Sequence, residues 1–518
     1  MTRSLTLVLL LALGVAVGLR ALTLGERPMH NDEAVNAVKF RSLWEQGTYK
    51  YDPNEHHGPS LFYATLALER LTGAPRFADF TERRLRWVTV VFGVGLVLLL
   101  PLLLDGLGRR GVAWAAMFSA VSPALVFYSG YFIHEMLLAF FTGLALAAGW
   151  RYWRTRKLGW ILLAGAALGL MSATKETFII TLFAAGLAIA LNQTWNRLID
   201  ASGAPVKAPP LRASHLLLAL GVWVLMALVL FTSFFTNPAG ALDSVRTYAP
   251  WVHRAQGASP HIYPWYFYLH RLLWFHAAPG PYWSEAPLFA LALIAAWAAF
   301  ARRHLGRASA SFVRFLSLYA FLLAAFYSLL PYKTPWCLLS FWQAIVLLAG
   351  VGAAVLWRTL RQPVVRAAVN FLLVVGTGHL VWQAWALGTA YAADQRNPYV
   401  FAQTSPDILS LVSQVENLAA ISPAGHRMVI GVAAKEGDYW PLPWYLRAFP
   451  SVGWYEGMPA DLDATLLIVS PTLSSNVAPS QFHQMGIFGL RPQVFLELYV
   501  RDELWKQWLS RGKPAAGP

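Results

Sequence analysis

Apolar stretches near residues 4–24, 87–104, 111–129, 135–150, 158–174, 177–192, 215–236, 286–301, 312–331, 337–357 and 367–387 dominate this sequence. A bilayer crossing takes roughly 20 mostly apolar residues, with a lower limit near 17. A chain built this way is expected to fold as an all-α polytopic membrane domain of about eleven transmembrane helices. Composition agrees: 57% of the residues are hydrophobic, only 13% are charged, and mean hydropathy is +0.46. A soluble domain carries far more charged surface. The stretch at 1–24 opens with Arg3 and has no convincing small-x-small cleavage site, so it reads as an uncleaved first helix.

The net charge of +15 would suggest nucleic acid in a soluble protein. Here the cations sit in short loops between apolar runs, and no nucleic-acid role is expected. With the N-terminus inside, alternate loops collect Arg109 and Arg110; Arg151, Arg154, Arg156 and Lys157; Arg302, Arg303, Arg307 and Arg314; Arg358, Arg361 and Arg366. The opposite short loops hold only Lys175, Arg246, Arg254, Arg271 and Lys333. That is the positive-inside asymmetry of an integral membrane protein, and it places the C-terminus outside. Ser60–Leu71 is too short to cross and is interrupted by Glu69 and Arg70, so it reads as an interfacial helix.

Two domains follow: residues 1–390, with large outer loops at 25–86 and 237–285, and residues 391–518. In the second, Met428–Val432, Thr465–Ser470 and Val494–Val500 have strand character, and Ser405–Leu418 reads as a helix. This is a small extracytoplasmic α/β domain. The cytoplasmic loop at 201–211 reads as a flexible connection. The single cysteine, Cys337, excludes an internal disulfide or a cysteine metal site.

Five polar clusters fall at the outer face of this topology. Met29-His30-Asn31-Asp32-Glu33 follows the first span; Asp32 suits a general base toward a hydroxyl, while Asn31 or Asp32 could equally cap the following helix. In Asn54-Glu55-His56-His57-Gly58-Pro59, Glu55 and His57 suit a divalent cation, with Glu135, and His56 or His57 suits a phosphate; an ordinary polar turn is the alternative. Glu135 opens an apolar helix after Tyr128–His134, where a helix-dipole role would suffice. Thr174-Lys175-Glu176-Thr177 offers a lysine for phosphate, or a plain ion pair at a helix break. Tyr332-Lys333-Thr334-Pro335-Trp336 reads as an aromatic anchor or a substrate contact.

The order of these features resembles the GT-C superfamily of polyprenyl-phosphate-dependent glycosyltransferases, near the protein O-mannosyltransferase and lipid A aminoarabinose transferase group. Asp32-Glu33 matches that group's Asp-Glu motif, and Glu135 falls where the group carries an acid in its second outer loop. Gly169–Lys175 is similar to its Gly-Leu…Lys stretch. His57-Gly58-Pro59 stands where the group has Glu-Lys-Pro, a departure at its phosphate and metal contacts. The set HNDEA, HHGP, YKTPW and Trp440–Arg447 resembles a flippase-activity-associated subfamily named after archaeal N-glycosylation.

The resemblance implies catalysis by Asp32 and Glu33. Taken with the clusters themselves, it leads to an expectation of substrate binding by His30, His56, His57, Glu135, Lys175 and Lys333. A lipid-linked sugar donor and membrane lipid would be the partners, and a divalent metal the one candidate cofactor. A lipid-linked sugar flippase and a non-catalytic assembly subunit are the alternatives.

Overall fold

The computed structural model describes residues 3–22, 24–54, 57–73, 76–199, 210–255, 261–459 and 463–511. Glu55, His56 and nearly all of the 201–211 loop lie outside them. The chain divides into two compact units. The first comprises residues 1–24, 47–72 and 83–401, and the second 25–46, 73–82 and 402–518. The second unit thus takes in two pieces of the 25–86 loop as well as the C-terminal residues.

The first unit is a helical bundle, with a helix at each of the expected positions. Among the described residues seven helices are long and apolar enough to cross a membrane. An eighth span results if Arg109–Val121 and Pro123–Ser129, bent by 53°, are one. The bend falls at Ser122-Pro123, where proline cannot continue the hydrogen-bond ladder. Glu135–Thr155, Leu158–Ser172 and Ala286–Ala301 complete the set; the last two have only 15 and 16 residues. Leu339–Thr359 runs through the middle of the bundle, 94% of its apolar window buried, whereas Pro363–Gly388 is 6% buried and lies at the rim. Close helix crossing depends on small residues: a Cβ on Gly352 would sit 1.8 Å from the Leu291 carbonyl oxygen.

Glu285 holds the bent span together. Its carboxylate accepts hydrogen bonds from the Ser122 hydroxyl (2.5 Å), the Ala124 N–H (2.9 Å), the Trp342 indole (3.2 Å) and the Tyr399 hydroxyl (2.6 Å). A buried carboxylate is tolerated only with such a set of donors. The stretch expected at the interface forms a helix over Ser60–Thr72, and its buried Glu69 pairs with Arg84 at 2.8 Å.

The second unit contains a five-stranded mixed sheet, in the order β2-β1-β3-β5-β4. Strands β1 (Ile430–Ala433), β3 (Leu466–Val469) and β5 (Val494–Arg501) occupy the three expected stretches. Strands β2 (Val452–Tyr455) and β4 (Phe482–Arg491) are additions. Both are edge strands, and β4 is interrupted by Gly486 and Gly489, so their alternation is weak. The helix Asp407–Ile421 begins just after Pro406, and the Ser405 hydroxyl accepts the Asp407 N–H at 3.3 Å just ahead of it.

Candidate active site

In the first unit, three of the polar clusters meet at one turn. Helix Leu158–Ser172 ends at Ala173, and helix Phe178–Leu198 begins after Thr177. The 173–177 turn between them is paired with the His57-Gly58-Pro59 segment: the Gly58 N–H donates to the Thr174 carbonyl (3.1 Å) and the Ser60 N–H to the Ala173 carbonyl (2.9 Å). The Ser60 and Thr174 hydroxyls are 2.7 Å apart. Gly58 is required here, because a Cβ would lie 2.2 Å from the Ala173 carbonyl oxygen. Gly58→Ala should therefore lower the melting stability of the purified protein, by about 1–3 kcal/mol for overpacking of this kind. An unchanged melting curve would show that the two segments can part.

The pairing brings two charged pairs together. Lys175 and Glu135 form a salt bridge with their side chains only 3% and 4% exposed. Burial alone would lower the Lys175 pKa; Glu135 outweighs it, raises the pKa, and keeps the ammonium charged. His57 Nδ1 lies 2.9 Å from Glu176 Oε2, with His57 about a third exposed and Glu176 buried. Burial would raise the Glu176 pKa, but His57 outweighs it and holds the carboxyl below its ordinary value. The Thr247 hydroxyl donates to the other Glu176 oxygen at 3.4 Å. Trp251 stacks on the His57 ring with centroids 5.4 Å apart, and the His134 ring is edge-on at 5.3 Å. His134 Nε2 in turn lies 3.0 Å from the Gly58 carbonyl oxygen.

Lys333 is fully buried, and its ammonium donates to the carbonyls of Tyr263 (3.0 Å) and Leu330. The latter lies just past the end of helix Ala310–Leu329, so the lysine serves that helix C-terminus. Its placement favours the anchoring alternative over a substrate contact.

In the second unit, the acidic pair opens helix Asn31–Gln46, and its two members face different ways. Glu33 is fully buried and forms a two-point pair with Arg27, at 3.0 and 3.2 Å. It also accepts the His30 N–H at 2.9 Å, which is the return half of a capping box. The His30 ring supplies the other half: Nδ1 accepts the Asp32 N–H at 3.1 Å. Asp32 is therefore not the residue that caps this helix. Its side chain is 47% exposed. A helical step of roughly 100° separates neighbours, so one acid faces in and the other out. Glu33, His30 and Arg27 brace the helix start, and Asp32 is the acid of the pair that stays exposed.

The described residues do not furnish a donor set for a divalent cation. Glu135 is taken by Lys175, His57 by Glu176, and no three His, Cys, Asp or Glu side chains gather among the described residues. Thr247 and Trp251 join the site without a sequence signal that marks them as its members. Glu176 is legible beside Lys175 in the sequence, whereas Thr247 and Trp251 come from a loop with no spacing pattern.

Comparisons with known proteins agree with this architecture. The family profile described as dolichyl-phosphate-mannose-protein mannosyltransferase matches residues 67–239, about a third of the chain. No curated protein matches by sequence. ArnT from Cupriavidus metallidurans, solved bound to undecaprenyl phosphate, superposes with a TM-score of 0.61 at 16% identity, covering 96% of this chain and 98% of ArnT. The archaeal oligosaccharyltransferase AglB from Archaeoglobus fulgidus, in complex with an inhibitory peptide and a dolichol-phosphate, gives 0.55 at 12% identity, covering 98% and 77%. A complex of the Archaeoglobus fulgidus oligosaccharyltransferase with Zn and sulfate gives 0.50 at 15% identity, covering 96% and 76%. The chain has the GT-C fold of these membrane proteins.

Proposed function

We propose that this chain is a membrane glycosyltransferase that moves a sugar from a polyprenyl-phosphate donor to an acceptor hydroxyl at the extracytoplasmic face. One observation carries the reading: Lys175 and His57 are brought to one turn, each backed by a carboxylate. A lysine ammonium and an imidazole beside a bundle of GT-C fold suit a lipid phosphate. The likeness to ArnT and AglB, solved with undecaprenyl phosphate and dolichol-phosphate, supports the donor class.

In the reaction, the bond between the sugar anomeric carbon and the donor phosphate oxygen breaks. A bond from the acceptor oxygen to that carbon forms. Lys175 and His57 receive the charge that develops on the departing phosphate. Asp32 takes the proton released by the acceptor hydroxyl. Polyprenyl phosphate and the glycosylated acceptor are the products. Glu135 and Glu176 hold the Lys175 and His57 side chains in place. The prenyl chain lies along the apolar helices near 158–192.

The test offers the purified protein a panel of polyprenyl-phosphate sugars with and without EDTA and measures release of lipid phosphate. Release that depends on acceptor is expected with at least one donor. Translocation of intact donor across vesicles with no release would favour the flippase reading. The facing of the site has its own test. Reporters fused after Arg110, Lys157 or Arg307 should report cytoplasm, and one after Pro518 the outer side. A cytoplasmic C-terminus would overturn the outer-face assignment.

A further inference from the structure

The segment that leads into Asp32 is not held by its own helix. Residues 26–30 carry no regular secondary structure between the first span and helix Asn31–Gln46. Met29 is fully buried, and both of its backbone polar groups are bonded to residues far along the chain. Its N–H donates to the Tyr445 hydroxyl at 2.8 Å, and its carbonyl accepts from the Thr404 hydroxyl at 2.6 Å. The Gln403 amide reaches the Pro28 carbonyl at 3.4 Å. All of these residues belong to the second unit.

Tyr445 is itself fixed by its setting. It closes the short helix Leu442–Tyr445 within the Trp440–Arg447 stretch, whose aromatic and proline pattern carries no role in the reaction above. Its neighbours bind the same unit: the Trp444 indole donates to Glu82 at 2.8 Å, and Arg447 donates to the Phe80 carbonyl at 2.5 Å while lying 3.9 Å over the Trp444 ring. One residue past Met29, His30 caps the helix through the Asp32 N–H.

We infer that Tyr445 and Thr404 are positioning residues: by gripping Met29 from both sides they fix the helix start that carries Asp32. The C-terminal domain then acts on catalysis through the base. A reactive group must be held by residues outside the reacting set, and small misplacement costs rate steeply. The inference rests on the reading of Asp32 as general base.

The test is a double-mutant cycle on the full chain, read by initial rates with a polyprenyl-phosphate sugar found active in the donor panel. Tyr445→Phe should lower kcat by about 10- to 100-fold with little change in donor KM. Thr404→Val, which acts on the other side of Met29, should do the same. If both act through Asp32, Tyr445→Phe in the Asp32→Asn background should cost nothing further. Losses that multiply, or a Tyr445→Phe enzyme with normal kcat, would overturn the inference while leaving Asp32 as base. Normal turnover in Asp32→Asn alone would remove the base and the inference together. Melting curves of both single variants separate a lost grip from a lost fold. A Tyr445→Phe that merely unfolds passes the decision to Thr404→Val, whose normal kcat in a folded protein would equally reject the inference.

Discussion

Asp32→Asn is expected to reduce turnover by about 100- to 10,000-fold, the usual contribution of a general base, with donor affinity nearly unchanged. The substitution keeps the shape of the side chain and removes its basicity. A cap role would not confuse the result. His30 already occupies the cap position, its ring accepting the Asp32 N–H and its carbonyl the Ala34 N–H, and the Asp32 side chain is half exposed. Stability should therefore change by no more than the charge–dipole interaction of an acid in the first helical turn, about 0.3–1 kcal/mol. Glu33→Gln should behave in the opposite way. Glu33 is buried against Arg27, and removing one charge of a buried pair costs about 3–5 kcal/mol. Turnover and melting stability, measured on both variants, distinguish the two roles. An Asp32→Asn protein that folds and turns over normally would strip Asp32 of its part in catalysis.

The contrast between those two acids shows what was legible in the sequence and what was not. Apolar runs and loop cations placed the spans, because hydrophobic length is a local property of the chain. The three central strands were legible for the same reason: their β-branched and aliphatic runs are continuous. The edge strands Val452–Tyr455 and Phe482–Arg491 were not, since glycines and half-buried positions blur their period. At the site, residue types pointed to clusters of which the fold brings three to one turn, but pairing could not be read. Nothing in the sequence says that Lys175 meets Glu135 while His57 meets Glu176, forty and more than a hundred positions away. The division of labour between Asp32 and Glu33 likewise depends on Arg27 and His30 in three dimensions. The Trp440–Arg447 stretch looked distinctive without a reason, because its partners, Met29, Phe80 and Glu82, lie more than three hundred residues earlier.

Lys175 offers a second large effect, and a way to divide structure from chemistry at the same residue. Lys175→Met leaves the Glu135 carboxylate buried with its countercharge gone. Breaking a buried pair from one side costs about 3–5 kcal/mol, so the single variant should melt far earlier and lose turnover for that reason alone. Glu135→Gln should be comparably damaging, because it strands the ammonium instead. The double variant Lys175→Met/Glu135→Gln removes both charges, and replacing a buried pair by neutral groups is often nearly neutral for stability. It should recover most of the lost melting temperature. If Lys175 stabilises the departing phosphate, turnover should stay depressed by about 100-fold or more, the scale seen when one electrostatic donor to a transition state is removed. Lipid-phosphate release and melting temperature, measured together on the three variants, separate the chemical role from the structural one. Recovery of both stability and turnover in the double variant would make the pair a structural brace at a helix break and leave His57 as the phosphate contact.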